Sequence, residues 1–193
     1  FADKNVGTAK LVTVSGFAIT GTDAGNYTLT QPTGLTADIT SAPLTVVGLT
    51  GVDKQYDGGV TAILSGTAAL SGVISGDMVT LNATGVTATF ANKNVGAAKP
   101  IIVNGYTIGG ADASNYTLSQ PAGLTASITP ATLTYTANPA TRTYGAADPA
   151  FSGTVTGFVT GENQASATSG TLVFTSSAIA KSNVGSYPIN GSG

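Results

Sequence analysis

Apolar and polar residues alternate along most of this chain with a period of two. In the stretch LTADIT, Leu35, Ala37 and Ile39 fall on one face while Thr36, Asp38 and Thr40 fall on the other, and Leu124, Ala126 and Ile128 repeat the pattern. Val86, Ala88 and Phe90 alternate with Thr87 and Thr89, and Leu133, Tyr135 and Ala137 alternate with Thr132, Thr134 and Thr136. Leu172 and Phe174 sit between Thr171, Val173 and Thr175. Such alternation predicts strands with one face buried, and threonine on the outer face suits a pleated surface without adding charge. The runs are short and are separated by the turn clusters KNVG, GTDAGN, YDGG and GADASN. Helical patterning is confined to Ser75–Leu81 and Gly161–Ala167, each one or two turns at most.

The pattern also recurs at long range. Residues 90–129 restate residues 1–40, with 26 of the 40 positions identical at a constant offset of 89 and no gap. Beyond them the match is more distant. Tyr144-Gly145 stands where Tyr56-Asp57-Gly58 stood, Gly161-Glu162 where Gly76-Asp77 stood, and Asn183-Val184-Gly185 falls 89 residues after Asn94-Val95-Gly96. The chain therefore reads as a window cut from a tandem array. Residues 1–42 are the C-terminal half of one unit, 43–130 a complete unit and 131–193 the N-terminal part of a third. On this reading Phe1 is not a native N-terminus, and any export signal lies outside the window. The expected fold is mainly β, in tandem small β-rich domains that are β-sandwich-like or β-grasp-like, with at most one short helix each. In such an elongated array each unit buries a small core and adds an interface with its neighbour. Proline in the linkers Thr40–Pro43 and Thr129–Leu133 should stiffen the joints.

Composition narrows the function classes. Charged residues make up 8% of the chain, against roughly 25% in ordinary soluble domains. A formal net charge of −2 offers no basic face for nucleic acid and no polybasic lipid anchor. The 41% apolar content is enough to bury a core, which argues against disorder. No stretch approaches the roughly 18 apolar residues of a membrane span. With no histidine and no cysteine, His-based triads, thiol nucleophiles and the common zinc sites are excluded. No phosphate-binding loop, dinucleotide fingerprint or nucleophile elbow is present. The nine acids are scattered over turns rather than paired for glycoside hydrolysis. Enzyme is the least expected class, and no cofactor is expected.

The candidate ligand-binding residues are Tyr27, Tyr56, Tyr116 and Tyr144, which recur beside turns and whose ring faces would suit sugar stacking. The plainer reading is favoured: a large apolar plug whose hydroxyl ties down a corner. KNVG at 4–7 and 93–96 reads as a turn, with Asn and Gly supplying left-handed conformations. An isopeptide link from Lys4 or Lys93 to an Asn would need a buried carboxylate beside the pair. Glu162 is the only Glu, and no Asp recurs at a matched place in all three units. Asp23 with Asn26, and Asp112 with Asn115, read as Asx-type turns ahead of Tyr27 and Tyr116. Each such loop holds one carboxylate, short of the clustered oxygens that calcium takes.

These motifs carry a family resemblance. KQYDG at 54–58, SGD at 75–77, KNVG at 93–96, ADASNYTL at 111–118 and LTASIT at 124–129 resemble the YDG repeat of large bacterial surface proteins. TYG at 143–145, FSGTVTGF at 151–158 and SNVGSYPI at 182–189 resemble the related MBG-type repeat. The resemblance spans essentially the whole chain. It implies an exported, extracellular stalk or fibre segment of a filamentous-haemagglutinin-like adhesin or biofilm matrix protein. It carries no ligand residues. The implied partners are neighbouring repeats, other copies in a fibre whose half-units complete one another, or host and matrix glycans. A passive spacer, a self-assembling fibre and a glycan-binding module are thus the competing functions.

Overall fold

The computed structural model describes residues 1–193. Its strands are β1 (Gly7–Leu11), β2 (Thr36–Ile39), β3 (Ala42–Val52), β4 (Lys54–Gln55), β5 (Ile63–Ser71), β6 (Thr80–Asn82), β7 (Thr87–Phe90) and β8 (Gly96–Asn104). They continue as β9 (Thr107–Gly109), β10 (Tyr116–Ser119), β11 (Thr125–Thr129), β12 (Thr134–Ala137), β13 (Gly153–Thr156), β14 (Val173–Ser176) and β15 (Ile189–Ser192). One helical turn, α1 (Gln164–Ala167), is the sole α-helix. The chain is mainly β, as the alternation predicts.

Contacts divide it into two compact units that do not follow the repeat boundaries. The first comprises Phe1–Gly51, Leu64–Thr89 and Ile101–Leu124. Here β1 pairs β2 antiparallel, β6 pairs β9 antiparallel, and β3 lies between β10 and β5. The β10–β3 pair is parallel, with Tyr116 opposite Ala42 and Leu118 opposite Leu44. Leu44, Val46, Ile101, Val103, Tyr106 and Tyr116 are buried. Period-two alternation delivers them: Thr45 and Val47 point outward between the buried positions of β3, and Ile102 does so in β8. Full burial of a side chain such as Leu44 contributes about 1.5–3 kcal/mol. Gly66 in β5 has φ +95, and a Cβ there would lie 2.1 Å from the Gly48 carbonyl oxygen, so only glycine fits this close strand approach.

The second unit comprises Val52–Ile63, Phe90–Pro100 and Thr125–Gly193. β11 is the hub of its main sheet, parallel to β4 through Ile128 opposite Lys54, and antiparallel to β8 through Thr125 opposite Pro100. β12 pairs β13, and β14 pairs β15, both antiparallel. Ala62, Phe90, Ala126, Ile128 and Phe174 form its buried positions.

Two helix expectations separate. Over Gly161–Ala167 the chain forms α1, entered through a capping box in which Asn163 Oδ1 accepts from Ser166 N at 3.2 Å and Ser166 Oγ accepts from Asn163 N at 2.9 Å. Over Ser75–Leu81 there is no helix. Ile74–Asp77 is a tight turn closed by Asp77 N–H to Ile74 O at 3.1 Å, and Gly76 at φ +92 takes the left-handed place that such a turn demands. The chain then straightens into β6.

The two copies of the repeated sequence share local devices. Ala9 and Ala98 both have positive φ, 50° and 48°, at a bulge between Gly7 and Lys10 in β1 and at the same place in β8. Gln31 grips the backbone of Phe17 through both its amide atoms, and Gln120 does the same to Tyr106. Ala24–Asn26 and Ala113–Asn115 each form one 3-10 turn ahead of a tyrosine. The Asx-type closure expected here is not made. Asp112 does not cap its own turn, and its Oδ2 accepts from Met78 N at 2.9 Å instead.

Candidate functional site

The KNVG loops are built differently from the left-handed turn that their Asn and Gly suggested. Asn5, Asn94, Gly7 and Gly96 all keep negative φ. The loop is closed by the residue ahead of the lysine: Asp3 Oδ1 accepts from Asn5 N at 2.8 Å, and Asn92 Oδ1 from Asn94 N at 3.1 Å. A second lysine ties it from behind. Lys10 donates to the Asp3 carboxylate and to Asn5 O, while Lys99 donates to Asn92 Oδ1 at 2.7 Å and to Asn94 O. A Cβ on Gly7 or Gly96 would press on that lysine's stem at 3.2–3.3 Å, so any larger residue there pushes the lysine aside by a few tenths of an ångström. Each loop thus uses one lysine inward, leaving Lys4 and Lys93 to point away.

Lys4 meets two carboxylates, with its Nζ 2.5 Å from Asp77 Oδ1 and 2.7 Å from Asp112 Oδ1. Tyr116 donates its hydroxyl hydrogen to Asp77 Oδ2 at 2.6 Å and accepts from Ile74 N at 3.0 Å. Val6 N donates to Asn115 Oδ1 at 2.9 Å, so backbone as well as side chain is engaged. This cluster lies within the first compact unit. The second unit holds a related one. Lys93 Nζ is 2.7 Å from Glu162 Oε1, the Tyr56 hydroxyl donates to the same carboxylate, and the ammonium sits 5.6 Å from the Tyr56 ring centroid. A cation over a tyrosine face is attracted by the ring quadrupole.

The acids are presented alike. Glu162 N–H bonds to Val159 O at 3.0 Å, as Asp77 N–H does to Ile74 O, and Gly161 at φ +86 matches Gly76. Both turns place a carboxylate directly after a left-handed glycine. Lys4 holds the Asp77 and Asp112 carboxyls below their ordinary range, with Tyr116 adding to the effect on Asp77. Lys93, then Tyr56, does the same to Glu162. The lysines are raised in turn by their acids. Burial pushes the Tyr116 hydroxyl up, and its bond to Asp77 adds to this. An ammonium that is 60% exposed and held charged, as at Lys4, is no nucleophile. The cluster is a docking contact in its chemistry, not an isopeptide site.

The four candidate tyrosines occupy three kinds of place. Tyr116 is 7% exposed and presents no ring face, fitting the plug with a tied hydroxyl. Tyr56 is half-buried against Lys93 and Glu162. Tyr27 and Tyr144 are 73% and 63% exposed. Tyr144 borders a cleft of about 380 Å³ shared with Arg142, Asp148, Asn183 and Tyr187. Arg142 Nε is 2.5 Å from Asp148 Oδ1 and its other nitrogens bind backbone carbonyls, so the cleft floor is held in place. Sequence reasoning aligns Asp77 with Glu162 but does not pair either acid with Lys4 or Lys93.

The profile of the YDG domain matches residues 1–34 and 40–123. The chain belongs to the YDG-domain family. The profile of the MBG domain (YGX type) matches residues 133–193. No curated protein and no solved structure matches the chain. The Lys4 cluster falls wholly within YDG-matched residues, whereas the Lys93 cluster takes Tyr56 and Lys93 from the YDG domain and Glu162 from the MBG region. No helix is long and apolar enough to cross a membrane.

Proposed function

We infer that this chain is a structural segment of a stalk or fibre in an exported bacterial adhesin or biofilm matrix protein, acting outside the cell by spacing or assembling the surface structure and catalysing no reaction. The building block is the repeat of residues 43–130, preceded by the back half of another at 1–42 and followed by an MBG-type repeat from 131. One observation carries the reading: the two copies share local devices, the left-handed Ala9 and Ala98 and the glutamine clamps of Gln31 and Gln120. Repetition of structural devices from copy to copy is what a length-setting module needs. Low charge supports it, since a neutral Thr-rich surface suits a spacer.

A second reading, a glycan-binding module, is favoured by the cleft beside Tyr144 and Tyr187, where exposed aromatic faces stand next to polar side chains. A broad glycan array decides between the two. The stalk reading expects no specific retention of the folded chain. Specific binding that is lost in Tyr144→Ala would transfer the function to the cleft.

A further inference from the structure

We propose that the Lys-Asn-Val loop of each repeat is the key of a repeat-to-repeat joint, docking onto the acid-bearing turn of the repeat that follows. One joint design then serves both the YDG–YDG and the YDG–MBG boundary. Lys4 and Lys93 are equivalent at the 89-residue offset, and each reaches an acid belonging to the next repeat, 73 and 69 residues further on. The acids are equivalent too, each following the left-handed glycine of a turn closed by the same backbone bond, Ile74–Asp77 and Val159–Glu162. Both boundaries bring a lysine, a carboxylate and a tyrosine hydroxyl together, the tyrosine coming from the acid's repeat at the first (Tyr116) and from the lysine's repeat at the second (Tyr56).

The loop is shaped before it docks. Lys10 and Lys99 close it from within the repeat, so little ordering remains to be done on contact. Seven cationic side chains occur in the chain, and four of them, Lys4, Lys10, Lys93 and Lys99, serve these two loops. A chain this poor in charge has concentrated it at the joints. The surroundings of the two ion pairs differ. At the first boundary Val6 N–H and the Asn5 side chain bond to Asn115. At the second, Asn94 and Val95 line a cleft of about 480 Å³ with Phe158, Val159 and Pro130. The sockets differ in reach. The YDG socket uses two short Asp side chains, 77 and 112, and the MBG socket one longer Glu. The joint is a property of the repeats themselves and holds whatever the array does at its far end.

Amide hydrogen exchange on the full chain tests the joint through double-mutant cycles. Lys93→Met and Glu162→Gln should each speed exchange of the Glu162 and Ser166 amides by roughly two- to fivefold, the range expected for partly exposed ion pairs. The double variant should add little to either single one. Lys4→Met and Asp77→Asn should behave alike at the Val6 and Asp77 amides. Lys181→Met is the control, since Lys181 lies one place ahead of the aligned lysines in the third repeat and should change none of these rates. Unchanged exchange in the single variants, multiplying effects in the doubles, or coupling at one boundary alone would each overturn the common joint.

Discussion

At the scale of single residues, the chain places strain and charge where the repeats need them. Ala9 and Ala98 hold a left-handed conformation that L-residues adopt at a cost, and both sit at the bulge that shapes the lysine loop. Ala98→Val should lose about 1–3 kcal/mol, because a β-branched side chain is least tolerant of positive φ, whereas Ala98→Gly should stay within about 1 kcal/mol of the parent; urea denaturation compares the two. Tyr116→Phe removes the acceptor for Ile74 N–H and the donor to Asp77, and a melting curve should show a fall of roughly 3–6 °C. The ion clusters set the pH response. The carboxyls of Asp77, Asp112 and Glu162 are held below their ordinary values of 3.8, 3.8 and 4.5. Their stabilisation is complete above those values and is lost as pH falls through the lower folded ones. Lys4 and Lys93 are held above 10.5, so their share is complete below that pH and fades as it rises further. Stability should be flat between about pH 5 and 10. Asp77→Asn should reduce the acid-side loss, which melts at stepped pH would reveal; an unchanged acid limb would count against the cluster.

At the scale of elements, alternation is a sound guide to strands but not always to the buried face, since Leu35 and Ala37 at β2 and Tyr135 in β12 are exposed where the pattern turns them inward. Leu124, Ala126 and Ile128 all turn inward on or beside β11, and Phe90 and Phe174 are buried as their patterns imply. Ser75–Leu81 misled, because its apolar spacing contains Gly76, and a left-handed glycine followed by a committed carboxylate outweighs a single turn's worth of helical pattern. Gly161–Ala167 holds the same turn, yet a helix starts after it because Asn163 and Ser166 supply a cap. The glycine of KNVG reads from the sequence as a source of backbone freedom, whereas in the structure it keeps negative φ and lies under the stem of Lys10 or Lys99. That distinction is invisible until Lys10 or Lys99 is seen lying across it. Gly66 is the complementary case. Gly66→Ala should cost about 2 kcal/mol or more, since the new Cβ meets the Gly48 carbonyl and β3 and β5 must part; denaturant titration with a far-ultraviolet readout is the check.

At the scale of the whole molecule, the repeat was plain in the sequence and its coupling was not. An ion pair between exposed side chains leaves no periodic signature, and its partners here stand about seventy residues apart in different repeats. The signal that could have exposed it is an alignment of two pairs at once: Lys4 with Lys93, and Gly76-Asp77 with Gly161-Glu162. The sequence aligns Gly161-Glu162 with Gly76-Asp77 but names no partner for either acid. The aromatic residues are more conspicuous, yet of the four candidate tyrosines Tyr116 and Tyr56 serve these clusters, while Tyr27 and Tyr144 keep open faces. The proposed stalk role requires that such repeats add length in stiff, equal steps. Small-angle X-ray scattering from the chain and from a version with residues 41–129 duplicated in frame tests it most directly. A stalk of this kind should grow in maximum dimension by about 30 Å, the span of a domain of that size, with each further copy adding the same increment. A dimension that grows only as the cube root of mass, or a broad distribution typical of freely jointed domains, would contradict it.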